Sequence, residues 1–352
     1  MRNIVIWIGF ALFCVVVSHS HALSIGGTEI EAGKIHRIML DVPAGPADPA
    51  TRIPVTAIAG VRSGPTLLVV AGVHGYEFAP ILASHALVQT VNPSKLAGTL
   101  VIVHNAHLPA FEARSPYVNP HDRKNLNRSF PGRSDGTQTE RIAYVLSSEL
   151  IAQADFVFDV HSGDGAEWLA AFVGVYGGPL ASDYPLALRV ATGFGFPNVV
   201  RYSMRTVEQV NTRRSLNRQA VAQGLPTVLV EIGQNGSRDP AHVAAIVQGL
   251  TNAMIVLEML EGDVTPGKPR LFDGTSSVKA STTGTWTPSI TANEFIKTGD
   301  VLGTLHDLHG VEVETVRSPM DGFALYGLAG PPVRAGDGLI TIAKPVESLD
   351  PQ

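Results

Sequence analysis

Residues 72–77 read Gly-Val-His-Gly-Tyr-Glu and follow directly on the apolar run Thr66-Leu-Leu-Val-Val-Ala71. A buried strand thus delivers a His and a Glu, three positions apart, onto one tight turn. An imidazole and a carboxylate so placed can grip one divalent metal, which makes His74 and Glu77 candidate ligands. A hydrolytic zinc centre needs three protein ligands and one position left for water. The third candidate is His161, closing Phe156-Val-Phe-Asp-Val-His161, with Gly163 and Gly165 leaving room beside it. A cation held there lowers the pKa of its water toward ~7 and so makes a nucleophile at neutral pH. Either His alone reads as a hydrogen-bonded residue at a strand end. The combination is what points to metal. Asp159 alternates with His161 along the strand and is a candidate acceptor for an imidazole N–H. An ordinary buried, hydrogen-bonded Asp is the other reading.

Amide hydrolysis also needs a group that takes the proton of water and passes it to the leaving nitrogen. Glu231 is the candidate. It follows Thr227-Val-Leu-Val230, where an unpaired carboxylate is costly to bury unless a site explains it. The alternative is an edge carboxylate paired with an Arg. A long loop then offers Arg114, and further on Asp122-Arg-Lys-Asn-Leu-Asn-Arg-Ser-Phe-Pro-Gly132. Asn127 and Arg128 put a planar cationic fork beside an amide, which suits a substrate carboxylate. Arg114 is a candidate for polarising the scissile carbonyl.

The elements that must position these groups alternate. Strands are predicted over 35–42, 53–59, 67–71, 99–104, 155–160, 169–175 and 227–231. Helices are predicted over 78–91, 139–151, 186–193, 212–223 and 241–260. Residues 105–137 form a loop without periodicity. Such alternation predicts an α/β domain, its mainly parallel or mixed sheet flanked by helices. In open α/β sheets ligands gather beyond the carboxyl ends of the strands. His74, Glu77, His161 and Glu231 all fall at such ends. Loops longer than about 12–15 residues inside such a domain are usually functional, which singles out 105–137. After a linker at 263–269, short Gly-punctuated β runs predict a small all-β domain. The expected division is a signal peptide at 1–22, a catalytic domain at 23–262 and a β domain at 263–346.

The N-terminus carries Arg2, the apolar run Ile4 to Val17 and the small-residue pattern Ser20-His21-Ala22. That is the pattern of a cleavable signal peptide, with an uncleaved anchor as the alternative. Cleavage after Ala22 removes Cys14, the only cysteine. Disulfides and thiolate chemistry are then excluded together. The expectation is export to a bacterial periplasm. Without Arg2 the chain keeps 25 basic against 31 acidic residues and has no basic run, which argues against nucleic acid as a partner.

Gly-x-His-Gly-x-Glu, Asn-Leu-Asn-Arg-x-Phe-Pro-Gly, Asp-x-His-Ser-Gly and Val-Glu-Ile-Gly occur in this order. Together they resemble the succinylglutamate desuccinylase/aspartoacylase family of the zinc carboxypeptidase superfamily, over roughly residues 25–345. The resemblance implies one Zn²⁺ held by His74, Glu77 and His161, with Glu231 as proton shuttle. It implies that Asn127 and Arg128 bind a substrate carboxylate and that Arg114 aids the oxyanion, with Arg123 as competitor for that role. Some members have Asp where this chain has Asn125, beside the carboxylate clamp. The 263–346 segment resembles a biotinyl/lipoyl-type β-sandwich. Its presenting hairpin reads His306-Asp-Leu-His-Gly310 and lacks the acceptor lysine, so it reads as a rim over the metal or as an oligomer contact. The expected substrate is a small N-acyl amino acid. A zinc carboxypeptidase that trims peptides and a catalytically dead binding protein are the alternatives. No membrane span is expected once the signal is removed.

Overall fold

The computed structural model describes residues 23–211 and 214–349; the signal-peptide segment lies outside the described residues. Ten strands form one sheet. In spatial order they are Pro345–Val346, Arg270–Asp273, Asn198–Ser203, Phe172–Gly177, Thr227–Glu231, Phe156–His161, Arg62–Ala71, Ala97–Val103, Thr51–Ala59 and Ile35–Val42. The four central strands from Thr227–Glu231 to Ala97–Val103 run parallel to one another. Antiparallel pairs flank them, so the sheet is mixed.

The continuous apolar runs follow from burial on both faces. Leu67, Val69, Phe156 and Phe158 pack with residues of the helices Phe78–Thr90, Tyr184–Gly193 and Pro240–Val256. Leu68, Val70 and Val157 pack on the other face with Ile142, Ala143 and Ala220, from the helices Gln138–Val145 and Leu216–Ala222. Successive side chains thus serve opposite layers, as the two-residue strand period requires.

Three local readings are corrected. The helix predicted over 139–151 is α-helical only at Gln138–Val145. It then widens into a π turn at Leu146–Leu150 and tightens at Ile151–Gln153. The hydroxyls of Ser147 and Ser148 bond back to the carbonyls of Ala143 and Tyr144 at 2.7 and 2.9 Å, competing with the backbone ladder. The strand predicted over 169–175 is two strands. Phe172–Gly177 stays in the large sheet, and Glu167–Leu169 pairs antiparallel with Gly322–Leu328. The helix predicted over 212–223 is Leu216–Ala222. It starts at Ser215, whose hydroxyl accepts from the N–H of Arg218 at 3.3 Å.

Strands between residues 276 and 343 form two further antiparallel sheets around Trp286, Leu302, Leu305, Ile340 and Ile342, whereas Arg270–Asp273 and Pro345–Val346, at the two ends of the expected 263–346 β domain, belong to the large sheet. Val301–His306 and Glu312–Arg317 make the predicted hairpin, with Leu308 at its exposed turn. Glu167–Leu169 thus ties the β segment to the stretch of chain that follows Phe156–His161. Among the described residues, no helix is long and apolar enough to cross a membrane.

Candidate active site

Three neighbouring parallel strands end together. Arg62–Ala71 leads into His74 and Glu77, Phe156–His161 ends on His161, and Thr227–Glu231 ends on Glu231. His161 and Glu231 are register partners, so their α-carbons lie one strand spacing apart, roughly 4.8 Å. The turn carrying His74 starts at Gly72, whose φ of +69° favours glycine. It packs so closely that a Cβ at Gly75 meets the backbone of Ala110 at 2.2 Å.

Nδ1 of His74 lies 2.7 Å from Oε1 of Glu77, and Nδ1 of His161 lies 2.9 Å from Oε2. The donor atoms of the three residues all fall within 4.8 Å of one another, and all three side chains are buried. Oε2 of Glu77 has no aligned hydrogen-bond partner despite its buried position. Two imidazole nitrogens and an orphaned carboxylate oxygen facing one point fit a divalent cation. Burial pushes the Glu77 carboxyl upward, but His161 and His74 outweigh it and hold the pKa down to about 2. Glu77 is therefore anionic, as a ligand must be.

The outer nitrogens of both ligands are also held. Asp159 Oδ1 lies 2.8 Å from His161 Nε2, and Asp159 Oδ2 accepts from Asn217 Nδ2 at 2.9 Å. Asn125 Oδ1 lies 3.3 Å from His74 Nε2 and also accepts from the Asn127 N–H at 2.7 Å. The oxygen of Asn125 is thus committed to orienting a ligand and a turn. Partners of this kind fix ring orientation and typically contribute 10–100-fold to metal affinity. Asp159→Asn is therefore expected to weaken metal binding by about that factor, read by competition with a chromogenic chelator; unchanged affinity removes Asp159 from this role.

The ligands open onto a cavity of about 400 Å³. Asn125, Asn127, Arg128 and Glu231 line it with them. Asn127 Oδ1 accepts from the Leu216 N–H at 3.0 Å, and its amide nitrogen stands 3.5 Å from His161 Nε2. Arg128 Nη1 donates to the Asn127 carbonyl at 2.7 Å, which sets the fork beside the amide. Burial, then the neighbouring carboxylates of Glu77, Glu167 and Asp159, push the Glu231 pKa well up, against the pull of His161.

Arg114 and Arg123 do not line the cavity. Both sit in left-handed backbone at exposed points of the loop, with φ of 51° and 60°. Arg218, on the helix Leu216–Ala222, lines the cavity with Arg128. Tyr117, Glu167 and Tyr326 also line it, and none was read from the sequence. Glu167 lies just past the His-Ser-Gly motif, a signal open to reading; Arg218 and Tyr326 carry none. His306 and His309 belong to the hairpin of Val301–His306 and Glu312–Arg317 and join no ligand cluster among the described residues.

Fold and site together place three candidate metal ligands at the carboxyl ends of parallel strands, an arrangement of the kind hydrolases use. Residues 63–257 match the succinylglutamate desuccinylase/aspartoacylase catalytic domain, and the chain belongs to that family. It is 29% identical over 307 residues to an N-alpha-acetyl-L-2,4-diaminobutyric acid deacetylase of Halomonas elongata, covering 85% of this chain and 88% of that one. The product-bound structure of the ectoine utilization protein EutE of Ruegeria pomeroyi is 25% identical, with a TM-score of 0.78 over 90% of this chain and 97% of that one. A succinylglutamate desuccinylase/aspartoacylase from Rhodobacter sphaeroides shares the fold at 21% identity, with a TM-score of 0.79 over 91% of this chain and 98% of that one.

Proposed function

We propose that the protein is an exported, zinc-dependent amidohydrolase that deacylates an N-acyl amino acid or a similar small amide bearing a carboxylate. The observation that carries this reading is the register pairing of Glu231 with His161. It puts a proton-accepting carboxylate beside a buried His₂Glu set in a cavity of small-molecule size. Two imidazoles and one carboxylate suit zinc. Bound there, zinc supplies Lewis acidity and acidifies water.

The chain's own residues supply the rest. Glu231 takes the proton of the attacking water and passes it to the leaving amine. Asp159 and Asn125 hold the two imidazoles in one orientation. Asn127 and Arg128 receive the substrate carboxylate and so fix the scissile carbonyl relative to Glu231. Tyr326 brings the C-terminal β segment to the cavity wall, which supports its reading as a rim.

The test is a deacylation screen of the purified protein on N-acyl amino acids and short peptides, with and without a chelator. Deacylation abolished by chelator and restored by Zn²⁺ is the expected result. Release of C-terminal residues from peptides, with N-acyl amino acids untouched, overturns the substrate assignment. Full activity in chelator overturns the metal. Export is read separately: the mature chain is expected to begin at Leu23.

A further inference from the structure

His107 is fully buried and belongs neither to the ligand set nor to the cavity lining. Its Nδ1 stands 3.2 Å from the carbonyl of Val73, the residue before His74. A carbonyl can only accept, so Nδ1 carries a proton. Nε2 is buried as well and has no hydrogen-bond partner among the described residues. Leaving a polar atom in that state is costly. A local role does not account for the residue. His107 precedes the short helix Leu108–Glu112, yet its side chain caps none of that helix's N–H groups.

The bond to Val73 is the last of a series. Arg62–Ala71 and Ala97–Val103 are parallel neighbours, and the chain leaving the second runs beside the turn leaving the first. The Ala106 N–H donates to the Ala71 carbonyl at 2.9 Å, and the His107 N–H to that of Gly72 at 3.0 Å. The His107 ring then reaches the carbonyl of Val73. Three successive peptide groups of the turn are thus held from one side. The first two bonds come from backbone N–H groups, which every residue but proline supplies. The third depends on one side chain. A peptide group is planar from one Cα to the next. Fixing the Val73 oxygen therefore fixes the plane from which the His74 Cα departs. There is little slack beside it. A Cβ at Gly72 meets the Cα of Asn105 at 2.9 Å, and the His107 N–H also donates to Asn105 Oδ1 at 3.1 Å.

We infer that His107 is a positioning residue: its Nδ1–H holds the Val73–His74 peptide and so aims His74 Nδ1 at the point that Glu77 and His161 also face. This rests on the metal reading above. Ligating groups work only when held within about 0.5 Å of the productive geometry. The orphaned Nε2 is the cost of placing a donor where the backbone supplies none.

The experiment measures the Zn²⁺ affinity of His107→Asn and His107→Leu by competition with a chromogenic chelator. Asn and Leu are close in size and differ in the donor: the Asn amide nitrogen takes the place of Nδ1, and Leu offers nothing. His107→Leu is expected to weaken zinc binding roughly tenfold or more, and His107→Asn to stay near the wild type. The visible spectrum of the Co²⁺-loaded protein is expected to change in His107→Leu alone. Wild-type affinity in His107→Leu overturns the proposal. So does an equal loss in both variants, which makes the ring a filler and not a donor. Should His107→Leu not fold, His107→Phe is read in its place against the same outcomes. If the wild type binds no divalent ion, the metal reading fails and the brace is decided without it, from the ring ¹⁵N shifts of His74 in the metal-free protein. Shifts that move in His107→Leu and not in His107→Asn sustain the brace, and any other pattern overturns it.

Discussion

Glu231→Gln will keep one divalent ion per chain and lose turnover by roughly 10²–10⁴-fold, the usual worth of a positioned general acid–base. The metal is retained because the ligand set is complete without Glu231: His74, Glu77 and His161 converge on their own. Gln preserves shape and the strand pairing with His161 while removing the only property the mechanism uses, a carboxylate that gains and yields a proton. The pH profile gives a second reading. Activity requires ionised Glu231, so kcat/KM falls as pH drops through its pKa. Burial and the carboxylates around it raise that pKa, so the acid limb is expected above the ordinary Glu value of about 4.3. The residual activity of the variant is expected to lack this limb. Metal loss in parallel with activity makes Glu231 a ligand or a structural support instead, and undiminished turnover removes it from the reaction.

The candidate metal ligands were legible because each member announces itself locally. His161 and Glu231 close apolar runs too uniform to be anything but strands buried on both faces. His74 and Glu77 sit on a Gly-marked turn after a third such run. One rule about where ligands gather in open sheets then suffices to bring them together. The mixed character of the sheet was less legible, because strand direction is set by how far each connection travels. Glu167–Leu169 reads as the start of the following strand until its partner, Gly322–Leu328, is known. The cavity walls were the least legible. Arg218 sits on an ordinary amphipathic helix and Tyr326 on an ordinary alternating strand. What makes them site residues is tertiary approach, which neither spacing nor composition encodes. Arg114 and Arg123 show the converse. Residue type and the family resemblance nominated them, yet both stand at exposed turns and neither lines the cavity.

Arg141→Ala will cost about 3–5 kcal/mol of stability, the penalty for leaving a buried charge without its partner. Arg141 and Asp48 form an ion pair whose side chains are 4% and 6% exposed. Arg141 also donates through Nε to the Pro43 carbonyl at 2.9 Å and through Nη1 to that of Gly136 at 2.5 Å. Asp48 Oδ2 accepts from the Gln138 N–H at 2.9 Å, at the start of the helix Gln138–Val145. Gln138 in turn accepts from Asn119 Nδ2 at 2.9 Å, inside the loop that carries Asn125, Asn127 and Arg128. Removing the guanidinium therefore strands Asp48 and loosens the base of the loop that carries Asn127 and Arg128. Urea denaturation is expected to show a lower midpoint. The double replacement Asp48→Leu/Arg141→Met is expected to recover most of the loss, because it removes both charges and keeps apolar volume. Since His74 and His161 are held by the strands rather than by this loop, KM is expected to rise in Arg141→Ala before metal content falls. A single variant that loses under about 1 kcal/mol identifies the pair as a screened surface contact. A KM that moves only together with metal content means that this loop and the three candidate ligands are braced by one and the same framework.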